Sequence, residues 1–327
     1  MSRRLTILAL AGLATSASLS AQTQTTKLET VSGIPNVDRI TRTEDIRFKS
    51  DPSDRMTVPV SLGGKGPYRF LVDTGADRTA ISRELASGLK LVAGEQAELH
   101  SISGASSIAT ANVPSLQLTS REIHNIDAPL LAGQNMGADG ILGTDSLRFQ
   151  RVIFDFQAQT LSVVPSAVPD FKAEPGTIVV EGIRKNGRLV VTEATANGHP
   201  LAVVVDTGSQ VTVGNSALRK ALMGAKVLGP SEEVMLESVT GDRIMGSYMQ
   251  VKQLEIGGVT LKDLAIVFAD AHTFKQLGFD KKPALLLGMN AMRAFKKVSI
   301  DFASRKLRVV LPEHSSLENV RLAFAKL

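Results

Sequence analysis

Alternating apolar and polar positions predict β-strands along most of the chain. From Met56, the residues Met56, Val58, Val60 and Leu62 fall on one face of a strand, which is the two-residue period of a half-buried sheet. Further short apolar runs follow, each bounded by turn residues. The helical patterns are few and brief, and two of them begin after good N-cap residues, Ser82 and Asn215. The pattern therefore predicts an all-β protein with few short helices.

The same order of elements occurs twice. An apolar strand ends in the run Phe70-Leu71-Val72-Asp73-Thr74-Gly75-Ala76-Asp77, and its counterpart is Val203-Val204-Val205-Asp206-Thr207-Gly208-Ser209. Later, Ile141-Leu142-Gly143 is matched by Leu286-Leu287-Gly288. The offset between equivalent residues grows from 133 at the two aspartates to 146 at Val152 and Val298. Small loop insertions between equivalent elements give such growth, so we expect one fold used twice.

The ends of the chain have different compositions from the repeats. Residues 1–21 begin with Arg3-Arg4, continue with an apolar run and finish in small residues, a pattern typical of a secretory signal peptide whose apolar core is too short to span a bilayer. We therefore expect a periplasmic or secreted protein with no stable membrane insertion after cleavage. The predicted organisation of the remainder is a flexible N-terminal arm at 22–44, a first lobe at 45–164, a linker at 165–176, a second lobe at 177–312 and a C-terminal helix at 313–327.

Composition excludes several classes of site. The chain contains no cysteine, which removes disulfides, thiol nucleophiles and cysteine-ligated zinc. With no Trp, two Tyr and a net charge of +5, a stacking platform for nucleic acid is not expected. The five histidines are scattered along the sequence without a close pair or an HExxH motif, so we expect no metal and no cofactor.

The two Asp-Thr-Gly runs carry the functional signal. A carboxylate at the end of an apolar strand is costly, because desolvation disfavours its ionised form. Each aspartate alone is explained by a capped turn in a β-barrel, but two copies in matched surroundings indicate chemistry. An apolar strand ending in Asp-Thr-Gly, then a hairpin, then two apolar residues and Gly before a short helix resembles the retropepsin-like aspartic proteases. The resemblance covers most of residues 45–312, in two copies.

The resemblance implies both a fold and a kind of site. The expected fold is the two-lobed acid-protease fold of retropepsins and pepsins, with tandem β-barrel lobes related by a pseudo-two-fold axis. Two flap-like hairpins, with tips at Ser103-Gly104 and Thr240-Gly241, favour a fused pseudo-dimer of the retropepsin type. We expect a monomer with one site between its lobes, and a protein or peptide as substrate.

The resemblance also implies roles for single residues. Asp73 and Asp206 would form the catalytic dyad of the family, in which two facing carboxylates share one proton and activate a water. Residues expected to support the dyad are Thr74, Gly75 and Ala76 in the first copy and Thr207, Gly208 and Ser209 in the second. Residues expected to contact substrate are Asp77, Ser103, Gly104, Thr240 and Gly241.

The two copies differ beside the dyad. Ala76 and Asp77 stand where the second copy has Ser209 and Gln210. A hydroxyl at Ser209 is placed to bond the neighbouring carboxylate, so we expect the two aspartates to be inequivalent.

Asp77 also lacks the usual partner. The arginine that follows the apolar-apolar-Gly run in the family is absent, since Thr144 and Met289 stand there. Arg78 and Arg148 are alternative partners of Asp77, and the sequence does not choose between them.

Two functions fit these observations. The expected function is an exported aspartic endopeptidase. The alternative is a non-catalytic protein that binds peptides in the same cleft. Retention of both costly carboxylates, Asp73 and Asp206, favours the enzyme.

Overall fold

The computed structural model describes residues 56–118, 121–167, 174–225, 228 and 230–312, together with the backbone of five short N-terminal strands. These strands are Arg4–Thr6, Leu10–Leu13, Lys27–Val31, Asp45–Arg47 and Lys49–Ser50. The predicted C-terminal helix at 313–327, most of the predicted signal peptide and arm, and the middle of the predicted linker lie outside the described residues. Strands account for 54% of the chain and the helices are short, which confirms the all-β prediction.

The first lobe is a closed six-stranded barrel. Its last strand pairs back onto its first through Leu116 and Leu62, and the predicted apolar face of that first strand, from Met56 to Leu62, is buried in the core. Around the barrel the strands are Met56–Leu62, Lys65–Val72, Gly140–Leu142, Ala80–Ser82, Arg121–Leu131 and Thr110–Leu118. Val92–Ala93 extends the sheet, and the hairpin of Ala97–His100 with Ala105–Ile108 projects from the lobe.

The second lobe repeats this arrangement. Its strands follow the order Arg188–Val191, Ala202–Val205, Ala284–Leu287, Thr212–Gly214, Val259–Phe268 and Arg243–Ile256. The first of these continues as Ala194–Ala196, which pairs with Arg243–Ile256 and makes the contact that closes the ring. Ile183–Lys185 and His199–Pro200 extend this sheet, and Glu232–Ser238 forms the projecting hairpin with the start of Arg243–Ile256.

A third sheet joins the two lobes. It contains the terminal hairpin of each repeat, and Gln150–Asp155 pairs antiparallel with Lys297–Asp301 at its centre. The full order is Thr177–Glu181, Lys306–Val310, Lys297–Asp301, Gln150–Asp155, Thr160–Pro165 and Asp45–Arg47. Because Arg151 lies opposite Asp301 and Asp155 opposite Lys297, the two repeats meet around an approximate two-fold axis.

The helices are short and most lie at strand ends. They are Arg83–Gly88, Gly133–Met136, Thr144–Leu147, Ser216–Gly224, His272–Gln276 and Met289–Met292. The predicted N-caps are confirmed, since Ser82 accepts a hydrogen bond from Leu85 N and Asn215 accepts one from Leu218 N. The helix Thr144–Leu147 begins after Gly143, and no side chain forms a capping hydrogen bond there. In the described part of the chain, no helix has the length and apolar character needed to cross a membrane.

The two helix caps predict unequal contributions to stability. Asn215 is fully buried and bonds Leu218 N, Ala284 N, Phe279 O and Lys282 O. Its replacement by Ala should lower the free energy of unfolding by more than about 3 kcal/mol, because several buried groups lose their partners. Ser82→Ala, which removes the single bond to Leu85 N, should cost about 1 kcal/mol. Equal urea midpoints for the two variants would contradict this interpretation of Asn215.

Candidate active site

The two Asp-Thr-Gly turns are placed by neighbouring strands. The Asp73 N–H donates to Leu142 O at 3.0 Å, and the Asp206 N–H donates to Leu287 O at 3.1 Å. Each carbonyl belongs to the strand that runs parallel to the one bearing the aspartate. The Ile141-Leu142-Gly143 run and its counterpart therefore position the two aspartate turns.

The two turns bond each other through their threonines. Thr74 N donates to Thr207 Oγ1 at 3.1 Å, and Thr207 N donates to Thr74 Oγ1 at 3.0 Å. Each hydroxyl also donates across the interface, Thr74 to Val205 O and Thr207 to Val72 O, both at 2.8 Å. These four buried bonds connect the two lobes and hold the two aspartates in one place.

Gly75 and Gly208 allow the turns to approach closely. A Cβ atom added at Gly75 would come within 2.5 Å of Asp206 Oδ1, and one added at Gly208 would overlap the Asp73 carboxylate. No side chain fits in this space without moving an aspartate. Each glycine thus faces the carboxylate of the opposite lobe, which explains the residue type in both copies.

The two carboxylates are buried and share a similar environment. Asp73 and Asp206 are 1% and 0% exposed. Asp73 Oδ1 accepts from Gly75 N at 2.8 Å and from Ala76 N at 3.0 Å, while Asp206 Oδ1 accepts from Gly208 N at 3.0 Å. The Oδ2 atom of each is buried without a hydrogen-bond partner among the described residues. One oxygen of each carboxylate is therefore fixed by backbone donors and the other is available for chemistry.

Burial changes the protonation of this pair. Desolvation raises the pKa of Asp73 well above its usual range, and the charge of Asp206 raises it further. Desolvation also raises the pKa of Asp206, while Arg188 and the backbone N–H groups of Gly208 and Ser209 oppose the rise. Two carboxyl groups coupled in this way lose their protons in two separate steps. Between those steps the pair holds one proton.

Arg188 is the partner of Asp77, and sequence reasoning did not identify it. Its Nη1 atom lies 2.8 Å from Asp77 Oδ1, and its Nε–H donates to Gly75 O at 2.8 Å. Neither alternative from the sequence fills this role, and the Arg148 guanidinium lies over the Phe149 ring. Arg188 is 1% exposed and comes from the first barrel strand of the second lobe. The sequence signal that could have identified Arg188 is a cationic residue at the start of the apolar run Arg188-Leu189-Val190-Val191.

The expectation for Ser209 is wrong. Its hydroxyl donates to Val211 O at 2.6 Å, so its side chain supports the turn and does not bond the carboxylate. The structural difference between the two turns lies one residue further on. There Asp77 holds the buried Arg188 in the first copy, while the second copy has Gln210.

The two hairpins meet at their tips. We call the hairpin of Ala97–His100 and Ala105–Ile108 the first flap, and that of Glu232–Ser238 and the start of Arg243–Ile256 the second flap. Asp242 Oδ2 accepts from Ser101 Oγ of the first flap and from Thr240 Oγ1 of the second, both at 2.6 Å. Ser103 bonds Ser101 at 3.1 Å, and Gly104 accepts from Ser101 N. Four of the residues expected to bind substrate thus lie at this flap-to-flap contact: Ser103, Gly104, Thr240 and Gly241.

Each flap also reaches the opposite lobe. Ile102, at the tip of the first flap, is 1% exposed and belongs to an apolar cluster of the second lobe with Val267 and Phe274. Val239, at the tip of the second flap, is 2% exposed and packs in a cluster of the first lobe with Leu71 and Met136. The flap tips therefore cross, and each is anchored by one apolar side chain.

A protein-family model described as aspartyl protease matches residues 58–146 and 192–291, more than half of the chain. The chain belongs to the aspartyl protease family. Because the two matched regions contain the two Asp-Thr-Gly turns, they confirm the prediction of two fused retropepsin-like repeats. No curated protein gave a significant match to the sequence.

One pair of histidines is brought together by the fold. His100 Nδ1 lies 3.0 Å from His272 Nε2, although the two residues are far apart in the sequence. Among the described residues, no group of three or more Asp, Glu or His side chains is arranged to hold a metal ion.

The threonine exchange predicts a specific loss of stability. Thr74→Val removes the hydroxyl and leaves Thr207 N and Val205 O buried without partners, which should cost about 3 kcal/mol of unfolding free energy. Thr74→Ser keeps the hydroxyl and should cost about 1 kcal/mol for the lost methyl group. Urea unfolding compares the two variants with wild type. If Thr74→Val is no less stable than Thr74→Ser, the bonds between the turns contribute little.

Proposed function

We propose that this aspartyl protease family member is an exported endopeptidase that uses Asp73 and Asp206 as its catalytic dyad. The observation that carries the proposal is the pair of unpartnered Oδ2 atoms in two buried, coupled carboxyl groups. A pair that holds one proton contains a base and an acid side by side. Peptide hydrolysis by an attacking water needs both at the same moment.

The reaction follows from the shared proton. The ionised carboxylate takes a proton from a water molecule while the oxygen of that water bonds to the peptide carbonyl carbon. The protonated carboxyl group gives its proton to the carbonyl oxygen, which yields a tetrahedral diol. When the C–N bond breaks, the leaving nitrogen takes the proton that the first carboxyl group received from the water. A hydroxyl of the diol gives its proton back to the second carboxyl group. The dyad regains its single proton, and no cofactor takes part in the steps.

The surroundings support a peptide as substrate. Asp73 and Asp206 come from different lobes and meet through the Thr74–Thr207 bonds, so one chain carries both carboxyl groups. The outer strand of each flap accepts an added strand by backbone pairing, since Ala97–His100 pairs with Arg4–Thr6 and Glu232–Ser238 pairs with Leu10–Leu13. An extended peptide binds a sheet edge in the same way. Asp77 lies beside the first turn in contact with Arg188, and its carboxyl group is suited to accept hydrogen bonds from a substrate backbone.

Export is part of the proposal and rests on residues 1–21. The pattern of Arg3-Arg4, an apolar run and small residues supports secretion to the periplasm or the medium. N-terminal sequencing of the protein recovered from its native host tests this proposal, with the mature chain expected to begin near residue 22. Recovery of a chain that still begins at Met1 would contradict export by cleavage.

Replacement of either aspartate should abolish peptidase activity. Mature protein is assayed against a denatured protein substrate across pH, beside Asp73→Asn and Asp206→Asn. Wild type should show a bell-shaped profile, because activity requires the form with one proton, and both variants should lose at least about 10³-fold in rate, since each lacks half of the acid–base pair. Asp155→Asn, which changes a turn carboxylate of the joining sheet, is the matched control. Equal residual activity in wild type and the two dyad variants would favour the non-catalytic peptide-binding alternative.

Arg188 should set the acidic limb of that profile. Its charge lowers the pKa of both dyad carboxyl groups, so its removal raises both. In Arg188→Met the ionised base should form only at higher pH, and the acidic limb should move up by about one unit. Arg188→Lys keeps the charge and should leave the limb near its wild-type position while weakening the bond to Gly75 O. An unchanged limb in Arg188→Met, with the fold verified by circular dichroism, would show that Arg188 has a structural role alone.

A further inference from the structure

The first flap is fastened to the second lobe by a pair of imidazoles. His100 is the last residue of the strand Ala97–His100, and His272 begins the helix His272–Gln276. His100 Nδ1 and His272 Nε2 lie 3.0 Å apart. The backbone N–H of His272 also donates to Ile102 O at 2.8 Å. These polar contacts lie beside the buried Ile102 side chain that anchors the flap tip.

The geometry of the rings identifies a hydrogen bond. Their planes differ by 17° and their centroids are 5.2 Å apart, close to the N···N distance plus the two ring radii. The rings therefore meet head-on, with one proton between the two nitrogens. A shared metal ion would instead lie to one side, where both lone pairs converge. The contact requires that one of the two facing nitrogens be unprotonated.

The charged and polar groups around the two rings determine how protonation affects this contact. Around the pair are Glu98, whose Oε1 lies 3.9 Å from His100 Nε2, and Lys275 on the helix of His272. The strand Arg4–Thr6 pairs with Ala97–His100 and has Arg4 in register with Glu98. Gln276 Nε2 lies 3.2 Å from His100 Nδ1 and 3.1 Å from His272 Nε2. From the second flap, Asp242 bonds Ser101 rather than an imidazole, and those bonds hold its pKa low.

The pair accepts one added proton more easily than two. Glu98 favours a first positive charge on the rings, and the proton between the facing nitrogens survives that step. A second proton puts two N–H groups against each other in a half-buried site next to Lys275. Burial first, then the charges of His100 and Lys275, lowers the pKa of His272. His272 lines a cleft of about 560 Å³, so water reaches this ring without unfolding.

The second flap has no such pair. The residue that corresponds to His100, immediately before Ser238 as His100 precedes Ser101, is Glu237, which is bonded to Arg243 at 2.9 Å. The helix of the first lobe begins with Gly133 where that of the second lobe begins with His272. Each flap inserts an apolar tip into the opposite lobe, but the first flap alone has an imidazole pair beside it.

We propose that His100 and His272 form an acid-opened latch, which holds the first flap on the second lobe at neutral pH and releases it when both rings are protonated. Protonation of the two rings and opening of the flap are linked in one direction. The closed contact excludes the doubly protonated form, whereas in the open flap each ring titrates near the ordinary histidine value of about 6.5. The open state therefore binds more protons, and falling pH favours it. That opening admits substrate rests on the proposed function; the opening itself does not.

The latch is tested by a distance measurement that needs no substrate. Because the chain lacks cysteine, Ser106→Cys in the first flap and Lys252→Cys in the second lobe, both exposed, accept spin labels specifically. Pulsed dipolar spectroscopy should show one dominant distance at pH 7.5. Between pH 7.5 and 4.5 a second, shifted distance should grow at least about tenfold, as expected for a contact that opposes protonation by one pKa unit.

Two variants separate the latch from other effects of acid. His272→Gln keeps a polar side chain that does not titrate, and its distance distribution should be the same at both pH values. His124→Gln changes an exposed histidine of the first lobe and should respond as wild type does. A pH-independent wild-type distribution, or an equal acid response in His272→Gln, overturns the proposal. Since the readout is a distance, a protein that fails to cleave peptides still tests the latch.

Discussion

Two carboxyl groups buried at one interface oppose the association of the lobes, and much of the surrounding structure offsets that cost. Asp73 and Asp206 lie within the reach of one another's charge and are almost completely removed from solvent. Desolvated carboxylates favour either separation or protonation. Backbone donors satisfy one oxygen of each, and the reciprocal threonine bonds prevent the turns from moving apart. Because the charge of Asp206 raises the pKa of Asp73, protonation of one carboxyl group relieves the repulsion that remains between the two.

The fold was largely predictable because its signals are local and repeated. Each of these signals depends only on neighbouring residues. They are the strands with a two-residue apolar period, the N-caps at Ser82 and Asn215, and the two Asp-Thr-Gly runs. Repetition then supplied the long-range information, since equivalent elements in two copies must occupy equivalent places. The resemblance to retropepsin-like proteases implied that Thr74 and Thr207 support the two aspartates, and the structure shows that the two threonines bond each other.

The unpredicted parts of the site are those that break the symmetry. Arg188 reaches Asp77 from the other lobe, and nothing in the local sequence of either residue specifies the other. His100 and His272 are separated by 172 positions and have no imidazole counterpart in the second copy. The Ser209 hydroxyl donates to the backbone carbonyl of Val211, two residues along the chain, and not to a carboxylate. Contacts between residues that are distant in the sequence and not repeated in the two copies produce no sequence pattern. Only the three-dimensional structure reveals them.

The joining sheet has a consequence for how the site is assembled. Gln150–Asp155 and Lys297–Asp301 pair within one chain, so the two aspartate turns find each other as an intramolecular event. Their effective concentration is set by the length of the connecting chain and not by the amount of protein in solution. Dilution of the protein therefore does not separate the two halves of the site. Covalent fusion of the repeats makes the site independent of how many molecules surround it.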